Sequence, residues 1–283
     1  VDRGGTFTDV VHLDADGHVS TMKVPSDQAV VGDLAEGALT FGTTVATNAL
    51  LEGKGKKVLL LVTEGFEDLP SIGDQSRPYL FDSDRAWPTP FTLEVRGVPG
   101  RLDAEGNELE PTGAFDATDF ESHSIAIVLL NSHRNGDHER AYARFFPGQD
   151  VVLGHVTSPL LGYLDRLETA LVDAAITPVL RDSMIRDKIG EEALAIRSDG
   201  SLVKAEALRA PEAVLSGPAG GILAVSAIAK QAGFASAVGL DMGGTSTDIC
   251  RVDADQLPFC EEVSRVAGVR IRRPMYEIET IAA

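Results

Sequence analysis

Residues 239–251, GLDMGGTSTDICR, repeat almost residue for residue the opening of the chain, VDRGGTFTDVV at 1–11. Both have the form Asp-x-Gly-Gly-Thr-x-Thr-Asp, beginning at Asp2 and at Asp241, and both are flanked by apolar β-formers such as Val1, Val10, Val11, Val238, Leu240, Ile249 and Val252. Each copy therefore reads as a strand, a glycine turn and a returning strand. Paired glycines let the backbone turn sharply and bring N–H groups against an oxyanion, and the threonine hydroxyls add donors. Asp2 and Asp241 stand just before the turns, where a magnesium ion bridging phosphates would need hard oxygen ligands. A single Gly-Gly hairpin is most often a plain turn. Two copies that keep the same Asp and Thr neighbours predict two like subdomains facing a cleft.

The bulk composition narrows the function classes. At 283 residues the chain is long enough for about two domains with separate cores, and its formal charge of −18 opposes non-specific binding to nucleic acid or to an acidic membrane. Two cysteines, Cys250 and Cys260, predict a reducing, cytoplasmic setting without a disulfide framework. No apolar run is read as long enough for a membrane span of about 20 residues, and no signal peptide is visible.

Working outward from the hairpins, the pattern predicts strands at 18–26, 58–62, 124–130 and 151–156, and a short helix at 27–38. A long helix is predicted over 160–188, interrupted at Pro178. In FGTTVATNALLEGKG (41–55) a Gly-Thr-Thr segment runs into a helix, and it serves either as an ordinary cap or as an anion site. Residues 64–112 read as loops with short strands, among whose neighbours Arg77, Tyr79 and Arg85 are candidates to orient a carboxylate. NSHRNGDHER (131–140) holds His133 and His138, whose spacing fits neither metal-ligating helical interval, so a loop entering a helix at Asp137 is expected. LSGPAGG (215–221) reads as a turn before an apolar helix, with Ser216 placed to cap it. No Gly-x-Gly-x-x-Gly opens a helix after a strand, which argues against a Rossmann dinucleotide site.

With both hairpins, FGTTVATNALLEGKG, NSHRNGDHER, LSGPAGG and DMGGTSTDI in hand, the chain resembles the hydantoinase A/5-oxoprolinase family, with relatives among N-methylhydantoinases, caprolactamase and subunits of acetone and acetophenone carboxylases. The resemblance implies an α/β fold of the actin-like ATPase (ribonuclease H-like) type, duplicated, with mixed sheets flanked by helices and the second half truncated. It places a first subdomain at 1–190 and the start of a second at 191–283. It implies that Gly4, Gly5, Thr6 and Thr8 form the first phosphate loop and Gly243, Gly244, Thr245 and Thr247 the second, with Ser216 and Gly217 also at the nucleotide. Asp2 and Asp241 are then candidate magnesium ligands and Asp9 and Asp248 candidate catalytic groups, direct or water-mediated coordination being left open.

The resemblance further implies ATP and magnesium as cofactors, a cyclic amide or ketone as substrate, and a hydantoinase B-type second subunit. The alternative, from the same loops, is an actin- or Hsp70-like conformational switch acting on a protein partner. The chain departs from the family's pattern at Phe41, where histidine is usual, at Asn131 to Asn135, and at Arg166, Thr169, Ala170, Asp173 and Ala174 in the long helix. These departures predict a substrate unlike that of better-known members. The connections Lys23 to Phe41, Phe115 to Ile125 and Arg181 to Ala193 are shorter than the family's.

Overall fold

The duplicated hairpins and the apolar runs between them fold into an alternation of strands and helices, seen in a computed structural model that describes residues 1–34, 37–76, 89–242, 246–253, 257–260 and 263–282. The first part runs β1 (Asp2–Arg3), β2 (Phe7–Leu13), β3 (Val19–Pro25), α1 (Val31–Leu34), β4 (Thr40–Thr43), α2 (Val45–Leu51), β5 (Val58–Thr63), α3 (Leu69–Ile72), β6 (Leu93–Val98), β7 (Arg101–Leu102), β8 (Glu108–Glu110), β9 (Ser124–Val128), α4 (Asp137–Ala143), β10 (Val151–Leu153), α5 (Gly154–Thr157) and α6 (Tyr163–Arg186). Then follow β11 (Leu194–Ile196), β12 (Leu202–Lys204), α7 (Ala210–Ala213), α8 (Ser216–Ala232), β13 (Ser236–Met242), β14 (Ser246–Asp253), β15 (Phe259–Cys260), β16 (Ser264–Val266), β17 (Val269–Ile271), β18 (Met275–Tyr276) and β19 (Glu279–Ala282).

The chain divides into two compact units, each assembled from separate stretches. Unit 1 comprises Val1–Asn48, Leu180–Glu262 and Pro274–Ala283, and unit 2 comprises Ala49–Val179 and Val263–Arg273. The division expected at residue 190 falls inside unit 1. α2 and α6 each pass from one unit into the other.

Unit 1 is built on a six-stranded sheet in the order β12-β11-β4-β1-β2-β3 and a three-stranded sheet in the order β13-β14-β19. β1, β2 and β3 form an antiparallel meander, and β4 lies parallel to both β1 and β11. α8 packs on β4, β11, β13 and β14. It buries Ser216, Ala219, Ile222, Ser226 and Ala229, the three- and four-residue spacing of one helix face. Ala219 and Ile222 join Val252 and Tyr276 in a core cluster.

Two expectations are corrected here. LSGPAGG is not a turn: Ser216 is already the first residue of α8, and Pro218 is tolerated because first-turn N–H groups have no helical partner in any case. Moreover, the 23-residue stretch Ala210–Ala232 contains an 18-residue window of mean hydropathy 1.5, so it does have the length and apolarity of a spanning helix. It is divided in this fold into α7 and α8, and Ala210, Ala213, Ala219, Ile222 and Ala229 are buried within unit 1.

Unit 2 is organised on a four-stranded parallel sheet in the order β10-β9-β5-β6. All six residues of β5, VLLLVT, are buried, as a strand covered on both faces requires. Leu59, Leu61, Ile125, Ile127, Leu129, Tyr142 and Phe146 belong to one buried cluster with Val98 and Phe120. α6 runs unbroken through Pro178, contrary to the predicted interruption. Its residues Leu167, Ala170, Leu171, Val172, Ala175 and Ile176 are buried, and that packing outweighs a lost helical hydrogen bond. The strand predicted at 151–156 ends at Leu153, where the chain turns into α5.

Candidate functional site

The first hairpin is held by its own polar groups. Across the tip, Gly4 N–H donates to the Phe7 carbonyl at 3.0 Å, and Ser26 N–H donates to the Thr6 carbonyl at 2.9 Å. Ser26 Oγ donates to the Gly4 carbonyl at 2.8 Å and shares a hydrogen bond of 3.0 Å with Thr8 Oγ1. Thr8 is fully buried, so this hydroxyl braces the tip from behind rather than lining its outer face. Gly5 and Thr6 remain exposed at the tip. Arg3 anchors the strand through the Ser26 carbonyl at 3.1 Å, the Ala29 carbonyl at 3.1 Å and an ion pair with Asp187.

The register then sets acid against acid. Asp2 lies directly opposite Asp9 in the first hairpin, and Asp241 directly opposite Asp248 in the second. Like charges in that relation destabilise a sheet unless a cation lies between them. Lys23, across from Asp9 on β3, reaches both its oxygens at 3.0 Å and offsets part of that charge. Asp2 is different. Burial, then the charge of Asp9, and also that of Asp241, push its carboxyl above the usual range, with Lys23 opposing the shift. Its side chain opens to solvent yet is closely surrounded: a Cβ on Gly42 would lie 3.2 Å from its Oδ1 and one on Gly217 3.8 Å.

A folded Asp2 that holds its proton more tightly than the unfolded chain stabilises the protein at low pH and loses that contribution as pH rises above the ordinary value of 3.8 through the raised one. Asp2→Asn is therefore expected to raise the thermal midpoint at neutral pH and to flatten its fall as pH rises above about 4, read by thermal unfolding at low salt. An unchanged slope would show that folding does not make Asp2 hold its proton more tightly.

These groups border an open cleft of about 670 Å³ whose walls include Asp2, Asp9, Val11, Leu13, Phe41, Gly42, Gly217, Gly220 and Gly221. The glycines keep it open. A Cβ on Gly221 would meet nothing within 4 Å, and one on Gly220 only Ile196 at 3.5 Å. A smaller recess that shares Gly221 with this cleft is lined also by Gly239, Asp241, Asp248 and Cys250. The start of α8 thus lines both, all within unit 1.

That helix start is fixed by residues the sequence reading placed otherwise. Ser216 is fully buried and its Oγ donates to the Thr43 carbonyl at 3.3 Å, so it ties α8 to β4. Leu215 precedes it at φ 62°, costly for a branched side chain, with its N–H on Thr47 Oγ1 at 2.9 Å. The Gly-Thr-Thr segment behaves as a cap: Thr43 Oγ1 accepts from Val45 N–H at 3.2 Å, and Thr44 Oγ1 accepts from Asn48 Nδ2 at 3.3 Å. Gly217 faces the cleft, and Thr247, half-buried, pairs with Met242. Gly243, Gly244 and Thr245 lie outside the described residues, as do Arg77, Tyr79 and Arg85.

Within 131–140 the chain enters α4 at Asp137, as expected. His138 Nε2 meets Glu108 at 2.8 Å. The acidic turn of Asp14, Asp16 and His18 is an exposed loop closed by Asp14 accepting from the N–H groups of Asp16 and His18 at 2.9 and 2.8 Å. For a magnesium ion, the donor set that fits is the hairpin carboxylates, since Mg²⁺ commonly takes one or two carboxylates and keeps several waters. The close approach of Gly42 and Gly217 to the Asp2 carboxylate was not read from the sequence, for it depends on how distant strands meet.

Comparison with known proteins follows this geometry. The profile of the hydantoinase/oxoprolinase N-terminal region matches residues 1–146, and that of hydantoinase/oxoprolinase matches residues 166–283. The chain is 32% identical to 5-oxoprolinase 1 of Arabidopsis thaliana over 353 positions, covering all of this chain and 27% of that protein. It is also 32% identical to the caprolactamase subunit alpha of Pseudomonas jessenii, covering all of this chain and 47% of that subunit. The first alignment is longer than the chain itself, so the relative carries insertions that this chain lacks. The crystal structure of ATP-dependent caprolactamase from Pseudomonas jessenii superposes with a TM-score of 0.78 at 27% identity, over 98% of this chain and 47% of that one. Nucleotide-free acetone carboxylase superposes with a TM-score of 0.79 at 19% identity, over all of this chain and 47% of that one, which shows a shared fold. The chain thus spans between about a quarter and a half of the length of these relatives, and it belongs to the hydantoinase/oxoprolinase family.

Proposed function

We propose that this chain is the nucleotide-handling part of an ATP-dependent enzyme that activates the carbonyl of a cyclic amide, such as a hydantoin, 5-oxoproline or a lactam, for ring-opening hydrolysis, or activates a ketone for carboxylation. The observation that carries the reading is the pair of Asp-against-Asp hairpins in one unit, the first bordering a glycine-walled cleft and the second a recess that shares Gly221 with it. Four carboxylates at two strand ends are costly on their own and are suited to a divalent cation with its phosphates.

In this reading the fold is the actin-like duplicated ATPase, with halves at 1–190 and 191–283. Asp2 and Asp241 hold magnesium, Asp9 and Asp248 orient the attacking oxygen, and Gly5 and Thr6 present donors at the exposed tip. Gly42, Gly217, Gly220 and Gly221 leave room for the phosphates. When bound, ATP would supply the phosphoryl group that turns a poor carbonyl electrophile into a reactive one, and magnesium would offset the charge of its phosphates. The residues contribute positioning and charge balance, which is where most of the catalysis of phosphoryl transfer lies. A hydantoinase B-type subunit and a cytoplasmic location belong to the same proposal.

The test is ATP hydrolysis by the full-length protein with its second subunit, with and without hydantoins, 5-oxoproline, lactams, and ketones plus bicarbonate. Stimulation by one compound class is expected. ATP turnover that no compound alters would overturn the enzyme reading in favour of a conformational switch.

A further inference from the structure

The parallel sheet of unit 2 has a feature that the hairpin cleft does not use. β5 is followed by β6 on one side of it, while β9 comes later and lies on the other. The strand order therefore reverses at β5 and β9, and in open α/β sheets the crevice beyond the carboxyl ends at such a point is where ligands bind. Thr63 ends β5, and the segment from Leu129 to His133 follows β9. Leu130 N–H donates to Thr63 Oγ1 at 2.9 Å, joining the two strand ends. Asn131 follows at φ 59° with its Nδ2 on the Leu102 carbonyl at 3.0 Å, which aims Ser132 and His133 away from the ladder.

At this point polar groups are buried without partners. Arg166, only 1% exposed, spends Nη1 on the Leu160 carbonyl at 3.2 Å and Nη2 on the Leu129 carbonyl at 3.1 Å, while its Nε finds none. Ser132 N–H converges on the same Leu129 carbonyl at 3.3 Å, which sets this residue beside the guanidinium, and its hydroxyl is buried and unpaired. Both ring nitrogens of His133, on which Arg166 acts, are likewise buried and unpaired, and so is Ser158 Oγ, one turn beyond Gly154, where an added Cβ would lie 3.3 Å from Arg166 Cγ. Native folds satisfy almost all such groups, so several together call for a missing partner.

The donor inventory identifies that partner's chemistry. Arg166 Nε–H can only donate, and the two hydroxyls and a neutral imidazole can each donate once. The local charge is positive: Arg134 and Arg166 act on His133, and Arg272 acts on Arg166, in a chain of net charge −18. Glu139 is the nearby counter-charge, and its oxygens already accept from Leu129 N–H, His155 N–H and His155 Nδ1. We propose that Arg166, Ser132, Ser158 and His133 form a binding site for a small carboxylate at the carboxyl ends of β5 and β9.

The test uses the full chain in EDTA without nucleotide, with 5-oxoproline and 2-pyrrolidinone as probes, two lactams that differ by one carboxylate. Calorimetry is expected to show 5-oxoproline binding at least about tenfold more tightly than 2-pyrrolidinone. Ser132→Ala and Ser158→Ala remove hydroxyls that have no partner to lose, so both variants should fold as the parent does and each should weaken 5-oxoproline binding by about fivefold or more. Asp241→Asn should leave this binding unchanged, which separates failure here from failure of the ATP reading. Equal affinity for the two lactams, binding of neither, or a crystal structure grown with 5-oxoproline in which only water meets these four side chains would overturn the proposal.

Discussion

Asp241→Asn in the full-length enzyme is expected to lower ATP turnover by about a hundredfold or more, the scale on which a group stabilising transition-state charge acts. The same change is expected to leave the thermal midpoint within a degree or two of the parent's, or slightly above it, as about 0.5 kcal/mol or less at an exposed position implies. The two outcomes differ because Asp241 does no packing. It is exposed at the end of β13, opposite Asp248, and its charge reaches Asp2 across the hairpins. An amide there relieves repulsion in the unliganded fold and removes a hard anionic oxygen from the cation's surroundings. Steady-state ATP hydrolysis with thermal unfolding on the same preparations would check it. A well-folded variant that retains turnover removes the second acid pair from the mechanism.

The two hairpins were legible because their pattern is local: a glycine pair between β-formers fixes strand, turn and strand, and the repeat of Asp and Thr marks the tips. The apolar run at 58–62 likewise announced a strand, and β5 runs from Val58 to Thr63. What stayed hidden depends on partners far along the chain. Thr8 and Ser216 carry the right hydroxyls for a phosphate loop, yet Ser26 and the Thr43 carbonyl take them. No local signal distinguishes a hydroxyl facing a ligand from one facing a neighbouring loop.

The misread helix boundaries have the same origin. Pro178 weighs against a helix in any window, but α6 is buried around it, and tertiary packing decides. Pro218 with three glycines reads as a turn, although α8 begins one residue before Gly217 and follows a strained Leu215 that no propensity anticipates. The division into units was equally out of reach, because α2 and α6 carry the chain between them and residues 263–273 return to the body formed by 49–179. Arg270, largely buried, is paired with Asp74 and Glu168 there, contacts that span 196 and 102 positions of sequence.

Glu139→Ala is expected to lower the stability of unit 2 by about 3–5 kcal/mol, the range for removing one partner from a buried charged network. Glu139 has no exposed surface. It sits in the first turn of α4, where Oε1 accepts from Leu129 N–H at 3.0 Å and Oε2 accepts from His155 N–H at 2.9 Å and meets Nδ1 of the same residue at 2.5 Å. One carboxylate thus joins the end of β9, the start of α5 and α4, and it faces the buried charge of Arg166. Alanine would leave two backbone N–H groups and an imidazole without their acceptor and Arg166 without its counter-charge. Glutamine keeps the shape but turns an NH₂ group toward existing donors, so its loss should be smaller, about 1–3 kcal/mol. Denaturant unfolding, with hydrogen exchange at the Leu129 amide to locate the effect, would measure both variants. If alanine cost less than glutamine, the desolvation of this carboxylate would outweigh its bonds, and the strand ends of unit 2 would owe their position to apolar packing alone.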